Sequence, residues 1–62
     1  MSIPEPDSEH EAILYLENAR QMLEVAAHNL ADGFYGSAEE DLHHARRFVE
    51  RVAQFLRQGG WL

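Results

Sequence analysis

Two pairs of acidic and histidine side chains have a spacing that could hold a metal ion. Glu40 and His43, and likewise Asp41 and His44, lie three positions apart in one predicted helix. Side chains at this spacing share one side of a helix, and carboxylate with imidazole is a usual ligand pair for divalent transition metals. Glu40 and His43 point away from the apolar stripe of that helix, whereas Asp41 and His44 lie beside Phe48. Asp41 and His44 are therefore the better-placed pair if a divalent transition metal is bound.

The acid-x-x-His spacing is similar to that of ferritin-like bundles, which hold two irons between facing helices. On the first helix only Asn29 occupies the matching side, so a site of this kind would need ligands from two chains. The favoured interpretation is instead that the histidines form ordinary surface pairs four residues apart, such as Glu24 with His28 and Glu40 with His44. On that interpretation no cofactor is expected, and the metal site is the alternative.

The remaining composition excludes several classes of function. The chain has no cysteine, no threonine and three serines, and it lacks a glycine-rich phosphate loop, so no nucleophile site is expected and we predict a protein that is not an enzyme. Eleven acidic residues against five arginines give a formal charge of −6, which disfavours nucleic acid and anionic membranes. The longest apolar run is too short to span a membrane, and no signal-peptide pattern is present, so a cytoplasmic location is expected.

The elements that position these residues are two helices. Residues 1–7 contain both prolines and form a predicted flexible acidic leader that packs little. Ser8 followed by Glu11 has capping-box spacing, so the first helix is predicted over residues 8–31, with Gly33 ending it.

The second helix is predicted over residues 37–58, because Ser37 and Glu40 repeat the capping-box spacing. Phe34 and Tyr35 are expected to close the end of the core. Two glycines then begin a Gly-Gly-Trp-Leu tail at residues 59–62. Apolar residues recur at steps of four and three along both helices and predict the core. These are Ala12, Leu16, Ala19, Leu23, Ala26, Leu30, Ala38, Leu42, Ala45, Val49, Val52 and Leu56.

The fold class predicted is all-α: an antiparallel two-helix hairpin that dimerises into a four-helix bundle. A chain of 62 residues has little core of its own, and the apolar stripes are wider than two helices can cover. The predicted partner is therefore a second copy or a partner protein helix. The residues predicted to meet it are Tyr15, Met22, Val25, Phe48, Phe55, Trp61 and Leu62.

The segment 18–50 resembles a single tetratricopeptide-type helical hairpin. The residues that carry this resemblance are Met22, Val25, Ala26, Gly33, Tyr35, Ala38, Leu42 and Ala45. It departs from the pattern at Asn29, where tyrosine is usual, and a single repeat cannot form a solenoid.

The segment 19–56 is also similar to the central helical pair of HEPN-family domains, with two alanine-rich helices joined by a Gly-aromatic turn. The arginine-to-histidine spacing of the nuclease members is absent, because no histidine follows Arg46, Arg47 or Arg51. This resemblance implies a non-catalytic relative that dimerises or binds a small ligand.

The predicted function is thus a small interaction or assembly protein that acts as a homodimeric helical bundle. Two alternatives stay open: a metal-binding, ferritin-like bundle whose site two chains share, and a non-catalytic subunit of a larger enzyme or toxin–antitoxin assembly.

Overall fold

A computed structural model describes residues 3–59, and within that range the chain forms two helices and no strand. Helix α1 spans Glu9–Ala31 and helix α2 spans Tyr35–Arg57. The two helices pack against each other as an antiparallel hairpin that measures 43 × 19 × 15 Å. The predicted all-α class and the packed helix pair are confirmed.

Helix α1 begins and ends as its sequence predicts. The backbone amide of Glu11 donates to the Ser8 hydroxyl oxygen at 3.2 Å, which satisfies one of the unpaired amides at the helix start. At the other end Gly33 has a φ of 81°. Its amide donates to the carbonyl of Leu30 at 3.1 Å, and the Phe34 amide donates to the carbonyl of Asn29 at 2.8 Å. These two bonds form a Schellman motif, which ends the helix and reverses the chain.

Helix α2 begins two residues earlier than predicted. Phe34 is the N-cap and has no side-chain capping bond, while Ser37 already lies inside the helix. The predicted capping box at Ser37 and Glu40 is therefore wrong. The physical reason is that the turn at Gly33 completes the reversal within three residues, so the helix can start at once. Phe34 and Tyr35 are exposed rather than closing the core.

The leader packs more closely than predicted. Pro6 is buried, and the Tyr15 hydroxyl donates to the backbone carbonyl of Pro4 at 2.8 Å. The Tyr15 hydroxyl thus supplies a hydrogen-bond donor where the leader passes. The flexibility predicted for residues 1–7 stays a prediction, and residues 60–62 of the predicted tail lie outside the described residues.

The core between the helices consists mainly of small side chains. Five alanines, Val52 and Phe55 are the buried apolar residues of the two helices. We call the small residues on the line of helix contact the alanine seam, and they are Ala12, Ala19, Ala26, Ala38, Ala45 and Val52. Seven-residue spacing puts the alanines of each helix in one column, which allows a close approach of the two helices.

The larger residues of the predicted core are exposed in the hairpin. They are Leu16, Leu23, Leu30, Leu42, Val49 and Leu56, each 45 to 51% exposed. The prediction that all twelve residues form the core is therefore wrong for the single hairpin. Because each helix lies over its neighbour's alanine column, the larger residues beside that column are only half covered.

Candidate interaction surface

One side of the alanine seam is occupied by aromatic contacts within the chain. We call Tyr15, Met22, Phe48 and Phe55 the aromatic flank. The rings of Tyr15 and Phe48 meet edge to face with their centroids 5.2 Å apart, a favoured aromatic geometry. Phe55 is buried in a cluster with Ala12 and Val52, and Tyr15 packs against that cluster. The side chains of the aromatic flank are therefore packed largely within the hairpin itself.

The leader adds to the cover on the same flank. The hydrogen bond from Tyr15 to Pro4 holds the leader beside the aromatic ring. Burial and the negative charge of Glu11 raise the pKa of Tyr15 above its ordinary value. Both causes favour the neutral phenol, which is the form that can donate this hydrogen bond.

A polar contact continues this flank toward the turn. The Asn29 side-chain amide donates to a carboxylate oxygen of Asp41 at 2.7 Å, joining the two helices. Both side chains are half-buried. A charged hydrogen bond of this kind stabilises more than a neutral one, and it fixes the register of the helix pair near the turn.

The opposite side of the alanine seam presents an exposed apolar surface. We call this surface the leucine face, and it consists of Leu16, Leu23, Leu30, Leu42, Val49 and Leu56. Three residues come from each helix at seven-residue spacing, so they form two parallel rows. All six are about half exposed. A continuous apolar surface on a small protein usually marks a contact site, so the leucine face is the candidate interaction surface.

The residues predicted from the sequence to meet a partner have several different environments. Phe55 is buried, whereas Tyr15, Met22 and Phe48 are half-buried in the hairpin. Val25 is 49% exposed. Trp61 and Leu62 lie outside the described residues. The assignment of all seven to an interface stays a prediction.

The predicted metal ligands Asp41 and His44 face different partners. Asp41 accepts the hydrogen bond from Asn29, and Nε2 of His44 lies 3.8 Å from a carboxylate oxygen of Glu40. Among residues 3–59, no group of three or more histidine and acidic side chains is placed to hold a metal ion. A metal site would therefore need further ligands from a second chain.

Arginine side chains gather at the end of the hairpin away from the turn. A surface cleft of about 520 Å³ lies between Ile3 of the leader and α2, and Arg47, Arg51 and Arg57 line it. Nη1 of Arg51 donates to the side-chain oxygen of Gln54 at 3.0 Å. The cleft therefore places three arginines beside one acidic side chain, Glu50.

The fold defines the chain as an all-helical hairpin protein. No protein-family profile, curated protein or solved structure is significantly similar to it. The resemblances to tetratricopeptide and HEPN hairpins therefore stay predictions. No helix within residues 3–59 has the length and apolar character needed to cross a membrane.

The sequence does contain a signal for the leucine face. Alanine recurs at positions 12, 19 and 26, and leucine recurs four residues after each of them. A column of small residues marks the line of closest helix approach, so the adjacent column of large residues must lie beside that line. The sequence prediction treated both columns as one core and therefore did not recognise the leucine face.

Proposed function

We propose that the protein is a non-enzymatic interaction or assembly protein that homodimerises through its leucine face into a four-helix bundle. The observation that carries the proposal is the half exposure of all six large residues of that face. The leader and the aromatic contacts lie on the other side of the seam. Within residues 3–59, these contacts leave the six residues of the leucine face about half exposed.

The composition of the core supports the need for a partner. Five of the seven buried apolar residues of the helices are alanines, and each contributes only one methyl group to the core. A domain of this size usually needs oligomerisation, a metal or a disulfide for adequate stability. Cysteine is absent from the chain, so a disulfide cannot supply that stability.

A second copy suits this surface because of its shape. The leucine face has two rows of aliphatic side chains, and no charged residue lies between the rows. These rows form ridges and grooves of similar size, as the core positions of four-helix bundles do. A two-fold axis would place leucines of one copy against leucines of the other. Completing the burial of each half-exposed leucine contributes about 1 kcal/mol.

The test is sedimentation equilibrium of the full chain over a wide concentration range, with and without Fe(II), Zn(II) or Ni(II). A metal-independent dimer is the expected result. A dimer that forms only with metal would instead favour the metal-binding bundle, with Asp41 and His44 as its first candidates. A monomer at every concentration would contradict homodimerisation and favour a role as a subunit that needs a different partner chain.

A further inference from the structure

The two halves of the hairpin differ in charge along its long axis. Residues 21–45, the turn half, carry five acidic side chains and neither lysine nor arginine, for a formal charge of −5. The rest of the chain, the open half, carries six acidic side chains and all five arginines, for a formal charge of −1. The acidic residues of the turn half are Glu24, Asp32, Glu39, Glu40 and Asp41. The hairpin is therefore much more negative at its turn.

The leucine face itself accepts a second copy in two orientations. Its side chains form four levels along the long axis, with two side chains in each middle level and one in each end level. From the open end to the turn, the levels are Leu56, then Leu16 with Val49, then Leu23 with Leu42, and then Leu30. This arrangement is symmetric about its middle. The levels match whether the two turns lie at the same end of the dimer or at opposite ends.

Charge distinguishes these two orientations. With both turns at one end, two turn halves of charge −5 would lie beside each other across a helix spacing of about 10 Å. That spacing is close to the screening length of physiological salt, which is about 8 Å, so the repulsion is only partly screened. With the turns at opposite ends, each turn half lies beside an open half that carries arginines.

We propose that the second copy docks on the leucine face with its turn at the opposite end. This inference rests on the proposed dimer and adds its orientation. The two-fold axis then runs across the long axis of the hairpin, so α1 packs on α1 of the partner and α2 packs on α2.

A specific charge pairing supports this orientation. Arg57 and Glu39 are five helical turns apart on α2 and project in the same direction, on the outer edge of the leucine face. When two α2 helices run in opposite directions, Arg57 of one copy comes within about one turn of Glu39 of the other along the axis. The symmetry repeats this attraction at both ends.

The orientation can be measured with paired nitroxide labels, because the chain contains no cysteine. One variant, Phe34→Cys, places the label at the turn on a side chain that is already exposed. A second, Tyr35→Cys, repeats the measurement at a neighbouring exposed position. The control, Gln21→Cys, places the label near the middle of α1, where the two labels of a dimer come within measurable range in both orientations. Helix content of each labelled protein is checked by circular dichroism.

Double electron–electron resonance then separates the outcomes. We expect labels at the turn to lie about 35–45 Å apart, since each helix of 23 residues is about 34 Å long and the hairpin extends over 43 Å. A separation below about 20 Å, the value for turns one helix spacing apart, would overturn the orientation while leaving the dimer intact. Absence of coupling at Gln21 as well would mean that no dimer forms, which contradicts the proposed function itself.

Discussion

Replacing one leucine of the leucine face with a charged residue tests which surface mediates self-association. The substitution is Leu23→Glu, and its matched control is Val25→Glu. These side chains are 48% and 49% exposed and lie on the same helix, and both changes add one negative charge. Two positions apart on a helix, they project in nearly opposite directions. Val25 belongs to the interface predicted from the sequence, so the pair compares the two candidate surfaces directly.

The expected magnitude follows from the exposure of Leu23. Because about half of its surface is open in the hairpin, the dimer would lose about 1 kcal/mol of apolar burial per copy. Enclosing a carboxylate in its place costs at least about 1–3 kcal/mol more per copy. The two copies together lose at least about 4 kcal/mol, so the dissociation constant should rise about 1,000-fold or more. Val25→Glu should change it by less than about threefold, because its side chain would stay in solvent.

The assay is sedimentation equilibrium of both variants beside the unmodified protein, with thermal unfolding recorded by circular dichroism. Glutamate suits a helix about as well as leucine does, so neither change should unfold the hairpin by itself. Equal effects of the two substitutions would refute the assignment to the leucine face. Dissociation by Val25→Glu alone would instead support the interface predicted from the sequence.

Three further predictions concern the hairpin itself. Gly36→Ala should raise the free energy of unfolding by about 0.5–1 kcal/mol, since Gly36 is helical with open space around it. Gly33→Ala should lower the free energy of unfolding by about 1 kcal/mol or more, because Gly33 has a positive φ. Urea unfolding of both variants checks this, and stabilisation by Gly33→Ala would contradict it. Asn29→Ala should lower the free energy of unfolding by about 1–2 kcal/mol, because it removes the hydrogen-bond donor to Asp41. An unchanged midpoint of urea unfolding would show that this hydrogen bond does not stabilise the fold. The raised pKa of Tyr15 means that the fold favours the neutral phenol, so this contribution to stability is present below pH 10 and is lost as the pH rises above it. Tyr15→Phe should reduce that alkaline loss in a pH series of thermal melts, and an identical loss in both proteins would show that Tyr15 is not its source.

The sequence predicted the helical elements because their signals are local. The serine hydroxyl at position 8 caps the next turn of backbone, and Gly33 supplies the positive φ that a Schellman motif needs. Both depend only on residues within one helical turn. The start of α2 was wrong by two residues because Ser37 has capping chemistry, but the turn had already reversed the chain before it.

The packing of the leader could not be predicted in this way. The hydrogen bond that holds it joins the Tyr15 hydroxyl to the Pro4 carbonyl, eleven residues earlier in the chain. The acidic, proline-containing composition of the leader gives no indication of that contact.

The candidate surface shows which features the sequence determines by itself and which depend on the tertiary structure. Periodicity determined that each helix has one apolar stripe, because every third or fourth residue returns to the same side of a helix. It did not determine where the neighbouring helix lies on that stripe. The stripe is wider than one helix contact, and the position of the contact depends on which pair of columns allows the closest packing. In this fold the alanine columns meet, the aromatic flank closes on one side with the leader over it, and the leucine face is left exposed.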